Sequence, residues 1–210
     1  MTHILLLGDS VFDNAAYVRG GPDVITHLRS RLPAGWRATL AAVDGSVTRD
    51  VARQLERAPA DAARLVVSAG GNDALGHVGI LEEGARSAAE VLMRLAEVAE
   101  GFESDYRSML DALCSKGKPA ALCTIYYPRM EDARAQRLAV AALATFNDVI
   151  TRAAFEAGLP LVDLRLVCDE DSDYANPIEP SAAGGAKIAA AILRLVSEHD
   201  FGKRRTEVFV

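Results

Sequence analysis

The feature that most constrains this chain is a rhythm. Short apolar runs, each ended by a polar or glycine-rich turn, alternate with longer stretches of helical periodicity. His3–Leu7 (HILLL) runs into Gly8, Trp36–Val43 (WRATLAAV) into Asp44-Gly45, and Ala63–Ser68 (ARLVVS) into Gly70-Gly71. Pro119–Tyr126 and Leu159–Leu164 complete a set of five strand-like runs. Between the first two, Val24, Ile25, Leu28 and Leu32 share one helical face bounded by Pro22 and Pro33. Further helices are expected from a Thr48 cap to Leu55, from about Leu81 to Ser115 with a break near Gly101, from Glu131 to Ala157, and from Ser181 to Val196. Strands separated by helical crossovers pair in parallel, and the crossovers cover the sheet. The expectation is an α/β fold of three layers: a five-stranded parallel sheet with helices on both faces.

Length and composition support one domain, over residues 1–200, followed by a tail over 201–210. Half of the residues are hydrophobic, enough for a sizeable core. Acidic residues outnumber basic ones by 29 to 23, the reverse of the balance a phosphate-backbone reader needs, so no nucleic-acid partner is expected. Cys114, Cys123 and Cys168 have no paired spacing, which argues against a disulfide framework. Ile4–Leu7 is too short for a signal-peptide core, and no apolar stretch approaches the ~20 residues of a membrane span. The expected location is the cytoplasm. Oligomeric state is not legible.

In open parallel sheets, ligands gather at the carboxyl ends of the strands. Here those ends read Gly8-Asp9-Ser10, Asp44-Gly45-Ser46, Gly70-Gly71-Asn72-Asp73, Tyr126-Tyr127-Pro128, and the stretch from Asp169 to Ser181. A serine directly after a strand and a Gly-Asp pair can project its hydroxyl into a crevice, although Asp9 or Ser10 serves equally as a helix cap. Gly45 can expose an unscreened backbone N–H or simply make a turn. Asn72 can present a carboxamide N–H to developing negative charge, or build an Asx turn with Asp73.

Taken together, GDS, a glycine after the second strand and GGND after the third resemble the GDSL-type esterases and lipases, also called SGNH hydrolases. The resemblance covers the chain from Gly8 to about Ala190. It implies a flavodoxin-like fold and ester hydrolysis. It also implies Ser10 as nucleophile, and an oxyanion hole built from the Ser10 and Gly45 backbone N–H groups and the Asn72 side chain. Asp9 and Asp73 become supporting residues. The partner implied is a small-molecule ester; no metal or organic cofactor is implied.

One block departs from the family. The Asp-x-x-His-Pro expected late in the chain falls on Asn176-Pro177-Ile178-Glu179-Pro180, with the register supported by the helix-like SAAGGAKIA that follows. The Asp position holds Asn176 and the His position holds Glu179. The two replacements fit each other. A histidine base becomes cationic and uses a carboxylate partner, whereas a glutamate base starts anionic and ends neutral. A carboxylate at 176 would repel Glu179; the Asn176 amide can donate a hydrogen bond and orient it. Such a base must be strengthened by burial, because glutamate titrates at about 4.3 and histidine at about 6.5 in the open. The alternative is an inactive SGNH-fold binding protein. Of the four histidines, only His77, four residues past Asp73, lies near enough in sequence to the crevice to stand in as base. Asp13, Asn14, Tyr17, Tyr126 and Tyr127 either line a pocket or serve structure. The acidic run 169–173 reads as a solvated loop rather than a metal site.

Overall fold

In chain order the elements are β1 (His3–Gly8), α1 (Val24–Arg31), β2 (Arg37–Leu40), α2 (Val51–Glu56), β3 (Arg64–Ser68), α3 (Gly71–Gly76), α4 (Ala88–Ser115), β4 (Ala120–Cys123), α5 (Ala133–Ala157), β5 (Leu161–Val162), α6 (Leu164–Val167), β6 (Tyr174–Asn176), β7 (Glu179–Pro180), α7 (Ala182–Glu198) and β8 (Val208–Phe209). The computed structural model describes residues 2–210. Every residue of β1 is buried, as expected of a strand with neighbours on both sides and helices on both faces. The main sheet runs β2-β1-β3-β4-β5-β8, and all of its strands are parallel. The three-layer α/β expectation holds, with six strands instead of five. The sixth comes from the segment expected to be a tail: Val208 pairs with Leu161 and Phe209 with Val162. Two residues are too few to show alternation in a sequence.

Side chains along β1 alternate between two cores. Ile4 and Leu6 face Val24, Leu28, Ile188 and Ile192 on the α1 and α7 side. Leu5 and Leu7 face Phe102, Tyr106, Phe146 and Ile150 on the α4 and α5 side. Helix ends are set locally. The side chains of Asp23, Ser87, Asp132 and Ser181 accept backbone N–H groups in the first turns of α1, α4, α5 and α7. Gly158, at φ +65°, closes α5.

Several local expectations are corrected. Thr48 does not cap α2; residues 48–50 form a 3-10 turn, and the Asp50 side chain accepts the Val47 N–H. Helix α4 starts at Ala88 rather than Leu81, after a separate 3-10 turn at Val78–Glu82. It passes Gly101 without a break, because Phe102, Tyr106, Met109 and Leu113 extend one buried stripe. That packing outweighs the roughly 1 kcal/mol a helical glycine costs. The acidic run 169–173 is not simply solvated either: Asp173 is fully buried, and Lys187 Nζ lies 2.9 Å from it. Finally, α5 contains an 18-residue window of mean hydropathy 1.3, long and apolar enough by composition to span a membrane. Phe146, Val149, Ile150, Ala153 and Ala154 of its second half belong to the core facing β1.

Candidate active site

The carboxyl ends of β1 and β3 meet where the strand order reverses, the usual binding crevice of such sheets. Gly8 sits there at φ +124°, and a Cβ on it would lie 1.7 Å from the Ser68 carbonyl oxygen. Only glycine lets β1 turn away while still touching β3. The Gln54 carboxamide brackets this residue, accepting its N–H at 2.7 Å and donating to its carbonyl at 2.8 Å. Asp9 N–H then donates to Ser68 O, and the Asp9 carboxylate accepts the Val11 N–H at 3.1 Å. This turn fixes Ser10, whose hydroxyl donates to Glu179 Oε1 at 3.1 Å across 169 positions of sequence.

Glu179 is 7% exposed and lies in the antiparallel hairpin β6–β7. Three contacts hold its loop from the β4 and α1 sides. Tyr126 OH donates to Ile178 O at 2.6 Å, Arg129 N–H to Pro177 O at 2.8 Å, and Asn14 Nδ2 to Pro180 O at 3.2 Å. Asn176 acts differently from the expectation. Its side-chain oxygen accepts the backbone N–H groups of Ile178 and Glu179, both at 3.0 Å, and it makes no bond to the Glu179 carboxylate. The tight turn leaves those two N–H groups in need of an acceptor, and the amide meets that demand as an Asx turn. Glu179 Oε2 is buried without a hydrogen-bond partner.

Burial dominates the electrostatics. It pushes the Glu179 carboxyl up to about 7, opposed by the Ser10 hydrogen bond and helped slightly by the charge of Asp44. It pushes Asp9 up to about 7 as well, opposed by the Val11 N–H and reinforced by the charges of Glu179 and Asp73. Among the described residues neither carboxyl has a cationic partner.

Asn72 Nδ2 donates to Ser46 O at 2.9 Å, which ties the loop after β3 to the loop after β2. A carboxamide nitrogen carries two hydrogens, so one donor remains for a ligand. Asp73 reinforces the tie by accepting the Thr48 N–H and hydroxyl at 2.9 and 3.0 Å. Gly45 lies in the turn that Asn72 anchors, at φ +78° and exposed. It borders a depression along β2 with Ser46, Asp50 and Gln54 rather than the cavity that contains Ser10.

That cavity, about 150 Å³, is lined by Ser10, Asn72 and Glu179 and by apolar side chains that include Val98, Leu143 and Phe146. His77 is exposed on its rim. The other histidines are engaged elsewhere: His3 with Thr39 and Asp61, His27 with Arg31, His199 with Glu207. Asp13 accepts the Asp44 N–H, and Tyr17 OH donates to Asp44, so both brace the loop after β2 rather than lining the cavity. Asn14 is fully buried and structural. No group of side chains suited to a metal ion occurs among the described residues. Sequence reasoning missed Gln54, and also Asn147, which brackets Ile125 at the end of β4 through bonds of 2.8 and 2.9 Å. A carboxamide on an otherwise apolar helix face, Gln54 between Val51 and Leu55 or Asn147 beside Phe146, is the signal that marks both.

A doubly wound sheet with Ser10 and Asn72 at its switch-point crevice matches the architecture that the resemblance to the SGNH esterases and lipases implies. The chain belongs to the GDSL-like Lipase/Acylhydrolase family, whose model it matches over residues 6–187. Among solved structures it is similar to an extracellular lipase from Streptomyces rimosus, at 18% identity and a TM-score of 0.66, covering 92% of this chain and 99% of that one. It is also similar to an acetyl xylan esterase at 18% identity and a TM-score of 0.70, with the same two coverages of 92% and 99%. A lipase/acylhydrolase from Enterococcus faecalis matches at 18% identity and a TM-score of 0.62, covering 93% of this chain and 95% of that one. These likenesses establish the fold. No curated protein sequence matches the chain.

Proposed function

We propose that this protein hydrolyses carboxylic esters through an acyl-enzyme on Ser10, with Glu179 as general base. The observation that carries the reading is the 3.1 Å hydrogen bond from the Ser10 hydroxyl to Glu179 Oε1. A nucleophile and a base within such reach satisfy the geometric requirement for activation. Glu179 also meets the requirement of strength. Raised to about 7, it titrates where a histidine base would.

In this mechanism the Glu179 carboxylate takes the Ser10 proton as Oγ attacks the ester carbonyl. The tetrahedral oxyanion is received by the Ser10 backbone N–H and by the free hydrogen of Asn72 Nδ2; Gly45, which borders the neighbouring depression, is left out of this role. Neutral Glu179 then returns its proton to the departing alkoxide. Water, deprotonated by the same carboxylate, releases the acid from Ser10. Because the protonated base carries no positive charge, oxyanion stabilisation falls more heavily on the N–H donors than it does in a Ser-His pair. Asn176 supports the base through the backbone of its loop, and Asp9 and Asp73 hold the turns.

The base must be ionised, so kcat/KM for a p-nitrophenyl ester is expected to rise with pH through about 7 and to level off above it. Ser10→Ala removes turnover and labelling by an organophosphonate. A wild-type protein without Ser10-dependent turnover across a broad ester panel and all pH values overturns the reading.

A further inference from the structure

We infer that the cavity beside Ser10 is an acyl-chain site selecting straight apolar acyl groups of about six to eight carbons, a proposal resting on the assignment of Ser10 as nucleophile. The polar lining groups are Asp9, Ser10, Ser68, Asn72 and Glu179, which come from the carboxyl ends of the paired strands β1 and β3 and from the hairpin residue that Ser10 bonds. Apart from His77 on the rim and Tyr126, whose hydroxyl is taken up by Ile178 O, the remaining lining side chains are apolar. Carbon attached to the carbonyl that Ser10 attacks therefore leaves these polar groups and meets hydrocarbon.

The space exists because of what α5 presents. Ala139 and Ala142, three residues apart on one helical face, line the cavity together with Leu95 and Val98 of α4. Larger side chains at these two alanines would fill it. A dry apolar cavity near 150 Å³ holds a six-carbon ring, so about six to eight chain carbons use this one fully. An acetyl group would leave most of it empty and gain little from it. Each methylene that enters adds about fourfold to transition-state binding until the space is full.

The test is a series of p-nitrophenyl acetate, butyrate, hexanoate, octanoate and laurate. The expected result is a kcat/KM that climbs to hexanoate or octanoate and gains nothing at laurate. Ala142→Phe is expected to lower the octanoate-to-acetate ratio by at least about tenfold. Leu143→Ala, which enlarges the space instead, moves the optimum to longer chains and provides the readout should the first variant not fold. A wild-type maximum at acetate, or a ratio that neither variant changes, overturns the acyl-chain site while leaving the Ser10 mechanism intact. Failure of the mechanism looks different: no ester in the series is cleaved. In that event Ser10→Ala protein still reports on the cavity. A larger rise in Tm with methyl octanoate than with methyl acetate supports the site, and equal shifts overturn it.

Discussion

The two halves of the Ser10–Glu179 pair are held in place by different means. Ser10 stands on the sheet itself: β1 ends at Gly8, which lies against Ser68 of β3 and is bracketed by the buried side chain of Gln54. Glu179 stands on a two-stranded hairpin outside the main sheet, held by loop contacts from Tyr126, Arg129 and Asn14. The nucleophile is thus part of what makes the domain fold, and the base is an attachment to it. The difference predicts how each half fails. Damage to the support beneath Ser10 appears first as lost stability, and damage to the support beneath Glu179 as lost rate in a protein that still folds.

The sharpest test of that contrast is Glu179→Gln. It keeps shape and burial but removes the base, and it is expected to lower kcat about a thousandfold, equivalent to about 4 kcal/mol, with an unchanged or raised Tm. The mirror experiment is Gln54→Leu. It strands the buried N–H of Gly8, whose carbonyl keeps the Val43 N–H, and is expected to cost about 1–3 kcal/mol in denaturant unfolding, before any kinetic effect is considered. Tyr126→Phe is the mildest. It keeps the ring that lines the cavity and deletes only the bond to Ile178 O, so kcat should fall about tenfold at unchanged KM while Tm moves little. Restored hydroxyl function at 126 should restore the rate. If Tyr126→Phe unfolded the protein, or Gln54→Leu left its stability intact, the division between the two halves would be wrong.

The same division separates what was legible in the sequence from what was not. Ser10, Asn72 and their flanking glycines are readable because adjacent residues create their geometry: a strand, a turn that tolerates positive φ, and a polar group directly after it. The pairing of Glu179 with Ser10 is legible only through the family resemblance, whose late Asp-x-x-His block falls on residues 176–179. The role of Asn176 does not follow, because its amide answers to the nearest unmet backbone donors rather than to a carboxylate three residues on. Gly101 shows the opposite limit, where a local preference yields to a stripe of buried side chains that extends well beyond it. Strand β8 is invisible for a third reason: only its neighbour β5 makes those two residues a strand.

The buried carboxyls at Asp9 and Glu179 have a thermodynamic consequence for the folded chain as a whole. Both hold their protons more tightly when folded, near 7, than at the ordinary carboxyl values of 3.8 and 4.5 that hold in the unfolded chain. Between about pH 4 and 7 the native state therefore binds protons that the unfolded state has released, and raising the pH across that window lowers the free energy of unfolding. Below the window their contribution is fully present; above it, it is gone. Denaturant titrations at pH 5 and 8 should show the protein weaker at the higher value, with the difference reduced in Glu179→Gln and Asp9→Asn. The proton that Glu179 gives up to become a base is one the fold would rather retain, so the molecule becomes competent for catalysis at the pH where this corner of it is least secure.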